Sequence, residues 1–163
     1  MEVPIAGSYR VAERFLAGEY PGAADGADAR ERIRSLEEHG ITHFVDLSHV
    51  DDGLEPYEAL LSTDVLRLAR PIVDFGTVSP AQMTELLDEI DDLRSAGGAV
   101  YVHCWGGIGR TGTVVGCWLR RHGLDGGDAL ARLAALRAGV GDGRRSPETA
   151  AQRALVEAWP TGR

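Results

Sequence analysis

The feature that most constrains the fold of this 163-residue chain is a continuous run of strand, loop and helix near its middle. Residues 99–102 (AVYV) are apolar and follow a pair of glycines, a pattern typical of a buried central strand. The next ten residues, HCWGGIGRTG, are rich in glycine and pass directly into a predicted apolar helix over residues 111–121. A strand that feeds a helix through a tight loop favours an α/β fold.

Segments of strand type and helix type alternate along the rest of the chain. Strands are predicted over residues 15–18, 41–47 and 65–68, and helices over residues 28–39, 127–137 and 147–159. A further helix is expected between Ser79, as its N-cap, and Gly97, as its stop. This alternation predicts a single domain over residues 1–163, with a central, mostly parallel mixed sheet flanked by helices.

The composition excludes several classes of protein. A net charge of -8 argues against binding to nucleic acid or to an anionic membrane surface, so any anionic substrate needs a local positive site. No window approaches eighteen apolar residues, and the first residues lack a secretory pattern, so a cytoplasmic location is expected. Four of the histidines (His39, His43, His49 and His122) have no ligand spacing with one another or with the cysteines, so we expect no metal and no cofactor.

The glycine-rich loop has the features of a phosphate cradle. Three glycines allow its backbone N–H groups to point at one centre, and the helix that begins near Arg110 adds the positive end of its dipole. Arg110 also contributes a planar fork that matches two phosphate oxygens. We therefore expect the loop to hold a phosphoryl group, or a phosphate or sulfate ion. The predicted phosphate-binding residues are Trp105, Gly106, Gly107, Ile108, Gly109 and Arg110.

Cys104 is expected at the base of this cradle. Helix N-termini and nearby cations lower the pKa of cysteine thiols from about 8.5 to between roughly 3.5 and 7.5, which produces nucleophilic thiolates at neutral pH. Cys104 is therefore the predicted nucleophile. The hydroxyl of Thr111 is expected to donate a hydrogen bond to the sulfur, and His103 to hold the loop by hydrogen bonds rather than to transfer protons.

The run His103, Cys104, five residues, Arg110, Thr111, Gly112 resembles the signature of the protein tyrosine phosphatase superfamily, in its compact dual-specificity-like branch. The resemblance implies a tyrosine phosphatase-like fold. It also implies a cysteine-dependent phosphatase that hydrolyses phosphate monoesters through a phosphocysteine intermediate. The expected substrates are phosphotyrosine and also phosphoserine or phosphothreonine in proteins.

The resemblance further implies a general acid on a mobile loop upstream, and Asp74 in PIVDFGTVSP is the candidate. Expelling an alkoxide or phenoxide from phosphorus is slow unless a positioned acid protonates it. Prolines on both sides of Asp74 and a nearby glycine are compatible with a hinged flap. The Trp-Pro pair that precedes this aspartate in receptor-type tyrosine phosphatases is replaced here by Ile72 and Val73.

The segment GRRSPETAAQRALVEAW resembles the loop and helix that supply a water-orienting glutamine in some family members. Gln152 is the candidate for that role. Arg144 and Arg145, which lie just before it, are expected at the rim of the pocket.

Three other functions use parts of the same pattern. The first is a phosphatase for phosphoinositides or other small phosphate esters, although the loop has Trp105 and Ile108 where lipid-directed relatives often carry lysines. The second is a noncatalytic module that binds phosphoproteins. The third is a thiol redox enzyme of the arsenate reductase type, which would need Cys117 to reach Cys104. Cys117 lies in a predicted apolar helix and is expected to be a reduced core residue.

Overall fold

The computed structural model describes residues 2–163, and a five-stranded sheet runs through its centre. Its strands are β1 (Ser8–Ala12), β2 (Phe15–Gly18), β3 (His43–Asp46), β4 (Leu66–Ala69) and β5 (Val100–His103). They lie side by side in the order β1-β2-β5-β3-β4. β1 and β2 are antiparallel, whereas the other three pairings are parallel. The predicted mostly parallel mixed sheet is therefore confirmed.

Within residues 2–163, five α-helices flank the sheet. They are α1 (Gly26–Glu38), α2 (Pro80–Ser95), α3 (Arg110–Arg121), α4 (Gly126–Leu136) and α5 (Ala150–Ala158). Ser79 caps α2 as predicted, since its side chain accepts a hydrogen bond from the backbone N–H of Gln82. The start predicted for α5 was wrong, because Thr149 has extended backbone dihedrals and caps the helix. α5 therefore begins three residues later than its apolar pattern indicated.

The sequence reading missed strand β1. This strand is short, lies at the sheet edge and pairs only with β2, so two of its five residues are partly exposed and it lacks a continuous apolar run. Strand β3 is also shorter than predicted. The residues before it instead complete the end of α1, where the N–H of Ile41 donates to the carbonyl of Leu36.

Apolar side chains cover both faces of the sheet. Alternate residues of a strand point to opposite faces, and in β5 Val100 and Val102 join one core cluster whereas Tyr101 joins the other. The larger cluster contains side chains from α2, α3, α4 and α5, and the smaller contains Ile33 and Leu36 of α1. The sheet is therefore a fixed platform with α1 on one face and the other four helices on the opposite face.

This topology determines where a site can form. β2, β5 and β3 are adjacent and parallel, so their carboxyl ends lie at the same edge of the sheet. β5 is the middle strand of the three, and the loop that follows it leads into α3. Ligands in open α/β sheets bind at the carboxyl ends of parallel strands, which is the position of the glycine-rich loop.

Candidate active site

The loop between β5 and α3 is fixed by hydrogen bonds to its carbonyl groups. The carbonyl of Trp105 accepts from the N–H of Tyr20 at 2.8 Å, and the carbonyl of Ile108 accepts from the hydroxyl of Ser146 at 2.6 Å. The carbonyl of Gly109 accepts from the Thr113 side chain at 2.7 Å. Within residues 2–163, none of the N–H groups of residues 105–109 donates a hydrogen bond. The donors of the loop therefore stay free for an anion, as a phosphate cradle requires.

Gly107 is the position where this loop needs a glycine. Its φ of 70° lies in the left-handed region, and a Cβ there would lie 2.6 Å from the backbone nitrogen of Glu19. Gly106 differs, because a Cβ there would approach only the side chain of Ile108, at an ordinary 3.6 Å. The loop therefore passes directly against the end of β2 at Gly107.

Cys104 lies at a cavity of about 340 Å³ and is only 2% exposed. Most of the wall comes from the glycine-rich loop and the first residue of α3. The remaining wall residues are Asp74, Phe75, Arg144 and Glu148. The cavity thus brings together the predicted nucleophile, the predicted general acid and all the predicted phosphate ligands except Gly107, which does not line it. Arg145, which was expected at the same rim, does not line it.

The Arg110 side chain is buried and is held by two carboxylates. Its Nη1 donates to Oδ2 of Asp52 at 2.7 Å and to the carbonyl of Ile72 at 3.0 Å, and its Nη2 lies 3.2 Å from Oδ1 of Asp74. Asp52 is itself fixed, since its side chain is 3% exposed and accepts from the N–H of His49. These contacts therefore fix the guanidinium in place at the cavity that Cys104 also lines.

Sequence reasoning missed Asp52. A buried guanidinium requires a carboxylate partner, so a partner for Arg110 could have been anticipated. Nothing in the sequence indicated which of the 25 acidic residues it would be, since Asp52 and Arg110 are 58 positions apart.

Asp74 lies between the interior and solvent. Its side chain is 38% exposed, and its Oδ1 accepts a hydrogen bond from the N–H of Phe75 at 2.9 Å while facing Arg110. Phe75 has a φ of 60° and its ring is 61% exposed beside the cavity. The predicted acid is therefore close to the predicted phosphate ligand, on a loop that is mostly exposed.

His103 is fully buried beneath the loop. Its Nδ1 donates to the carbonyl of Cys104 at 3.2 Å, and its Nε2 accepts from the hydroxyl of Tyr57 at 2.7 Å. Burial lowers the pKa of His103 to about 4, so the ring is neutral at physiological pH. This ring holds the backbone of Cys104 from below.

Asp46 lies 3.7 Å from the His103 ring and anchors the turn after β3. Its carboxylate accepts hydrogen bonds from the backbone and hydroxyl of Ser48 and from Nε of Arg67. Burial alone would raise the pKa of Asp46, but the neighbouring His103, Ser48 and Arg67 together lower it below its ordinary value. Asp46 therefore stays an anion beneath the site.

The hydrogen bond expected from Thr111 to the sulfur of Cys104 is not formed. Thr111 is fully buried, and its hydroxyl has no hydrogen-bond partner anywhere in the described part of the chain. Its position at the second residue of α3 keeps it next to the loop. The expectation failed because sequence adjacency fixes the position of this side chain but not the direction of its hydroxyl.

Gln152 is fully buried and connects the two loops of the site. Its Oε1 accepts from the N–H groups of Glu148 and Thr149, and its Nε2 donates to the carbonyl of Gly76 at 3.1 Å. The same amide packs against Gly109. Gln152 does not line the cavity with Cys104, so its role toward water remains a prediction.

The second cysteine belongs to the core. Cys117 is fully buried in α3, and both cysteines are free thiols. Burial raises the pKa of the Cys117 thiol to about 12. Cys117 is therefore a poor nucleophile.

Two negative findings apply to residues 2–163. They contain no cluster of three or more His, Cys, Asp or Glu side chains with the arrangement of a metal site. No helix among them is long and apolar enough to cross a membrane.

Comparison with known families gives a match over residues 20–124, to the family model described as "Polymorphic toxin system, DSP-PTPase phosphatase". The matched segment contains the glycine-rich loop as well as Asp52 and Asp74. It excludes β1, β2, α4 and α5.

Two curated relatives are tyrosine phosphatases by name. The chain is 31% identical over 117 residues to putative tyrosine phosphatase 067L of Invertebrate iridescent virus 3, which covers 69% of the chain and 45% of that protein. It is 34% identical over 76 residues to tyrosine-protein phosphatase cdc-14 of Caenorhabditis elegans, which covers 46% of the chain and 10% of that protein. The chain thus spans less than half the length of either relative.

Among solved structures, the chain is similar to Tk-PTP in its active form, with 26% sequence identity and a TM-score of 0.70. The match covers 93% of this chain and 94% of Tk-PTP. The sheet and helices described above therefore follow the arrangement of Tk-PTP over almost their whole length.

Proposed function

The chain belongs to the DSP-PTPase phosphatase family, a compact dual-specificity-like branch of the protein tyrosine phosphatase superfamily, and from this premise we propose that it hydrolyses phosphate monoesters of proteins. The proposed substrates are phosphotyrosine and also phosphoserine or phosphothreonine. One observation carries the proposal, namely that Cys104, Arg110 and Asp74 line a single small cavity. Phosphate ester hydrolysis needs a nucleophile, a ligand for the phosphoryl oxygens and an acid, and these three side chains match that need.

In the first proposed step, the Cys104 thiolate attacks phosphorus in line with the leaving oxygen. A sulfur–phosphorus bond forms while the phosphorus–oxygen bond to the substrate breaks, and Asp74 gives its proton to the departing oxygen. Water attacks the phosphocysteine in the second step. Asp74 takes a proton from that water, and the sulfur leaves as a thiolate. In this scheme Gln152 orients the water.

The contacts of Arg110 suggest how binding and protonation are connected. Arg110 faces two carboxylates, of which Asp52 is buried and Asp74 is partly exposed. Because Asp74 faces the same guanidinium that would hold the phosphoryl group, the proposed proton donor lies next to the place where the leaving oxygen departs. Asp52 keeps the guanidinium oriented throughout. Electrostatic stabilisation by Arg110 and the free loop amides then supplies much of the catalysis.

The site takes its positive charge from few groups. Arg110 and Arg144 line the cavity, opposed by Asp74 and Glu148. The loop N–H groups and the N-terminus of α3 therefore carry much of the attraction for the phosphoryl group. The chain has a net charge of -8, which repels an anionic substrate. The attraction of these local donors exceeds that repulsion only at short range.

The test is a substrate panel on the wild type and on Cys104→Ser. We expect the wild type to hydrolyse p-nitrophenyl phosphate and a phosphotyrosine peptide, and Cys104→Ser to lose turnover while it still binds phosphate. Turnover retained by Cys104→Ser would exclude the mechanism. Inositol phosphates in the panel test the lipid-directed alternative, and a wild type that binds phosphopeptides without hydrolysing them would indicate a binding module. The cytoplasmic location remains a prediction for cell fractionation.

A further inference from the structure

A second cavity, larger than the one at Cys104, lies between α4 and the segment 138–146. Its volume is about 860 Å³, and four arginines line it, namely Arg137, Arg144, Arg145 and Arg153. We call it the arginine groove. The exposed residues Ala131, Ala134 and Ala138 form part of its wall, so it is open along its length.

Three of the four arginines lack a carboxylate. Arg144 pairs with Asp142 at 2.7 Å and approaches Glu148 at 3.8 Å. Within residues 2–163, Arg137, Arg145 and Arg153 have no carboxylate oxygen within salt-bridge distance, although the chain has eight more acidic than basic residues. Other arginines of the chain also lack a carboxylate, but these three line one groove together.

Arg137 provides a fixed positive charge beneath the groove. Its side chain is 8% exposed, its Nη1 donates to the carbonyl of Arg144, and its guanidinium lies 5.9 Å from the ring of Tyr9. Its Nε is buried without a hydrogen-bond partner among the described residues. A buried cation without a carboxylate is costly unless an anion approaches it. Arg137 therefore raises the affinity of the groove for negative charge without leaving its place.

Arg145 and Arg153 provide the accessible charges. Both line the groove. Burial and then the positive charge of Arg145 lower the pKa of Arg153, while Glu157 acts in the opposite direction. An anion between the two guanidinium groups would relieve their repulsion. Arg153 is also tied to the segment by a hydrogen bond from its Nη1 to the carbonyl of Ser146.

The arginine groove continues into the cavity at Cys104. Arg144 lines both cavities. The Ser146 hydroxyl, which borders the groove, also donates to the carbonyl of Ile108 in the glycine-rich loop between β5 and α3, which we call the phosphate loop. Sites for small molecules usually enclose most of the ligand, whereas this groove is open and adjoins the place proposed for the phosphoryl group. An extended peptide that reaches Cys104 could therefore lie along it.

We propose that the arginine groove binds an acidic segment of the phosphorylated protein substrate, with carboxylates beside the phosphorylated residue held by Arg145 and Arg153. The proposal rests on the function proposed above, because it names the class of protein that the same site selects. Since the rest of the chain is acidic, this groove is the place where an acidic peptide meets attraction rather than repulsion.

The test compares Arg145→Gln/Arg153→Gln with a control, Arg30→Gln/Arg132→Gln, which removes two exposed arginines that do not line the groove. The substrates are two phosphotyrosine peptides that differ only in flanking residues, Asp and Glu in one and Ala in the other. We expect the wild type and the control to prefer the acidic peptide in kcat/KM. In the groove variant, the ratio of kcat/KM for the acidic peptide to kcat/KM for the alanine peptide should be about fivefold lower than in the wild type, as expected for the loss of two exposed charge pairs. Hydrolysis of p-nitrophenyl phosphate should be equal in all three.

Equal kcat/KM for both peptides in the wild type, or an equal loss in the control, would overturn the proposal. If none of the three proteins hydrolyses p-nitrophenyl phosphate, the proposed function fails. The groove proposal is then tested by peptide binding alone. A fluorescein-labelled, unphosphorylated acidic peptide should bind the wild type more tightly than the groove variant, and this difference should shrink at high salt. Groove-dependent binding to vesicles that contain phosphatidylinositol phosphate, without binding to the peptide, would overturn the proposal in favour of a lipid.

Discussion

The loop that carries Cys104 and the loop that carries Asp74 meet at Arg110, but they are held in different ways. The phosphate loop is anchored through its carbonyl groups and rests on His103, which is fully buried. In the acid loop, residues 71–79, Ile72 is the one buried residue, and the carbonyl of Gly76 is tied to Gln152 by a single hydrogen bond. The difference indicates that the proposed nucleophile lies on a firmly anchored loop and the proposed acid on a loop with fewer anchors.

The two carboxylates on Arg110 give the largest expected contrast. Asp74→Asn should lower kcat/KM by about 10²- to 10⁴-fold, because the leaving oxygen loses its proton donor. Its free energy of unfolding should change by less than about 0.5 kcal/mol, since the pair with Arg110 is partly exposed. Asp52→Asn should instead lower the free energy of unfolding by roughly 3 kcal/mol, because it leaves a buried guanidinium short of one carboxylate.

Steady-state kinetics and urea unfolding on both variants check this contrast. A substrate with a better leaving group needs less help from an acid, so the loss in Asp74→Asn should be smaller for it. If Asp74→Asn unfolds easily while Asp52→Asn remains stable, Asp74 and not Asp52 is the carboxylate that stabilises the buried Arg110, which contradicts the contrast.

A buried titrating group, His103 of β5, lies beneath the phosphate loop, and this predicts a pH effect on stability. The pKa of His103 is about 4 in the folded chain and about 6.5 when unfolded. Protons therefore bind the unfolded chain first as the pH falls from 6.5 to 4, and the free energy of unfolding should drop by about 3 kcal/mol over that window. The lowered pKa of Asp46 adds a further loss below its ordinary value of 3.8.

Urea midpoints at pH 7 and pH 4.5 measure this loss. His103→Gln should be less stable at pH 7 but should show a much smaller change between the two values. An equal change in both proteins would mean that His103 does not titrate as its burial implies.

Gly107 and Gly106 offer a matched pair within the phosphate loop. Gly107→Ala should destabilise the fold by about 2 kcal/mol, through its left-handed backbone and its contact with Glu19. It should also lower kcat/KM, because the loop must shift away from β2. Gly106→Ala should keep near wild-type stability by thermal unfolding. Equal behaviour of the two variants would show that the loop does not press on β2.

The smallest expected effect is that of the hydrogen bond from Gln152 to the carbonyl of Gly76 in the acid loop. Gln152→Met keeps the length of the side chain without placing a charge in the interior, but it loses the donor to the carbonyl of Gly76 and the acceptor for the N–H groups of Glu148 and Thr149. Loss of the hydrogen bond to Gly76 predicts a decrease of about tenfold in kcat, with faster hydrogen exchange in residues 73–77. Unchanged exchange in those residues would contradict a role for Gln152 in holding the acid loop.

The sequence predicted what is local and missed what is distant. The strand, loop and helix around Cys104 follow from residues that are neighbours in the chain, so both their structure and their place at the sheet edge could be predicted. Asp74 was identified through a resemblance, and the cavity does contain it. Asp52 and Tyr57 could not be found, because their contacts with Arg110 and His103 cross 58 and 46 positions. β1 was missed because an edge strand needs little apolar residue content.

The contact between Gly107 and the end of β2 bears on how far the chain can be shortened. The family match begins at residue 20, after both β1 and β2, and ends at residue 124, before Gln152. A shortened protein cut to that segment would lose the wall behind Gly107 as well as the amide that holds Gly76. We therefore expect a protein without the N-terminal hairpin and the last helix to lose turnover, although α5 contributes only Gln152 to the proposed chemistry and the hairpin contributes no side chain to it.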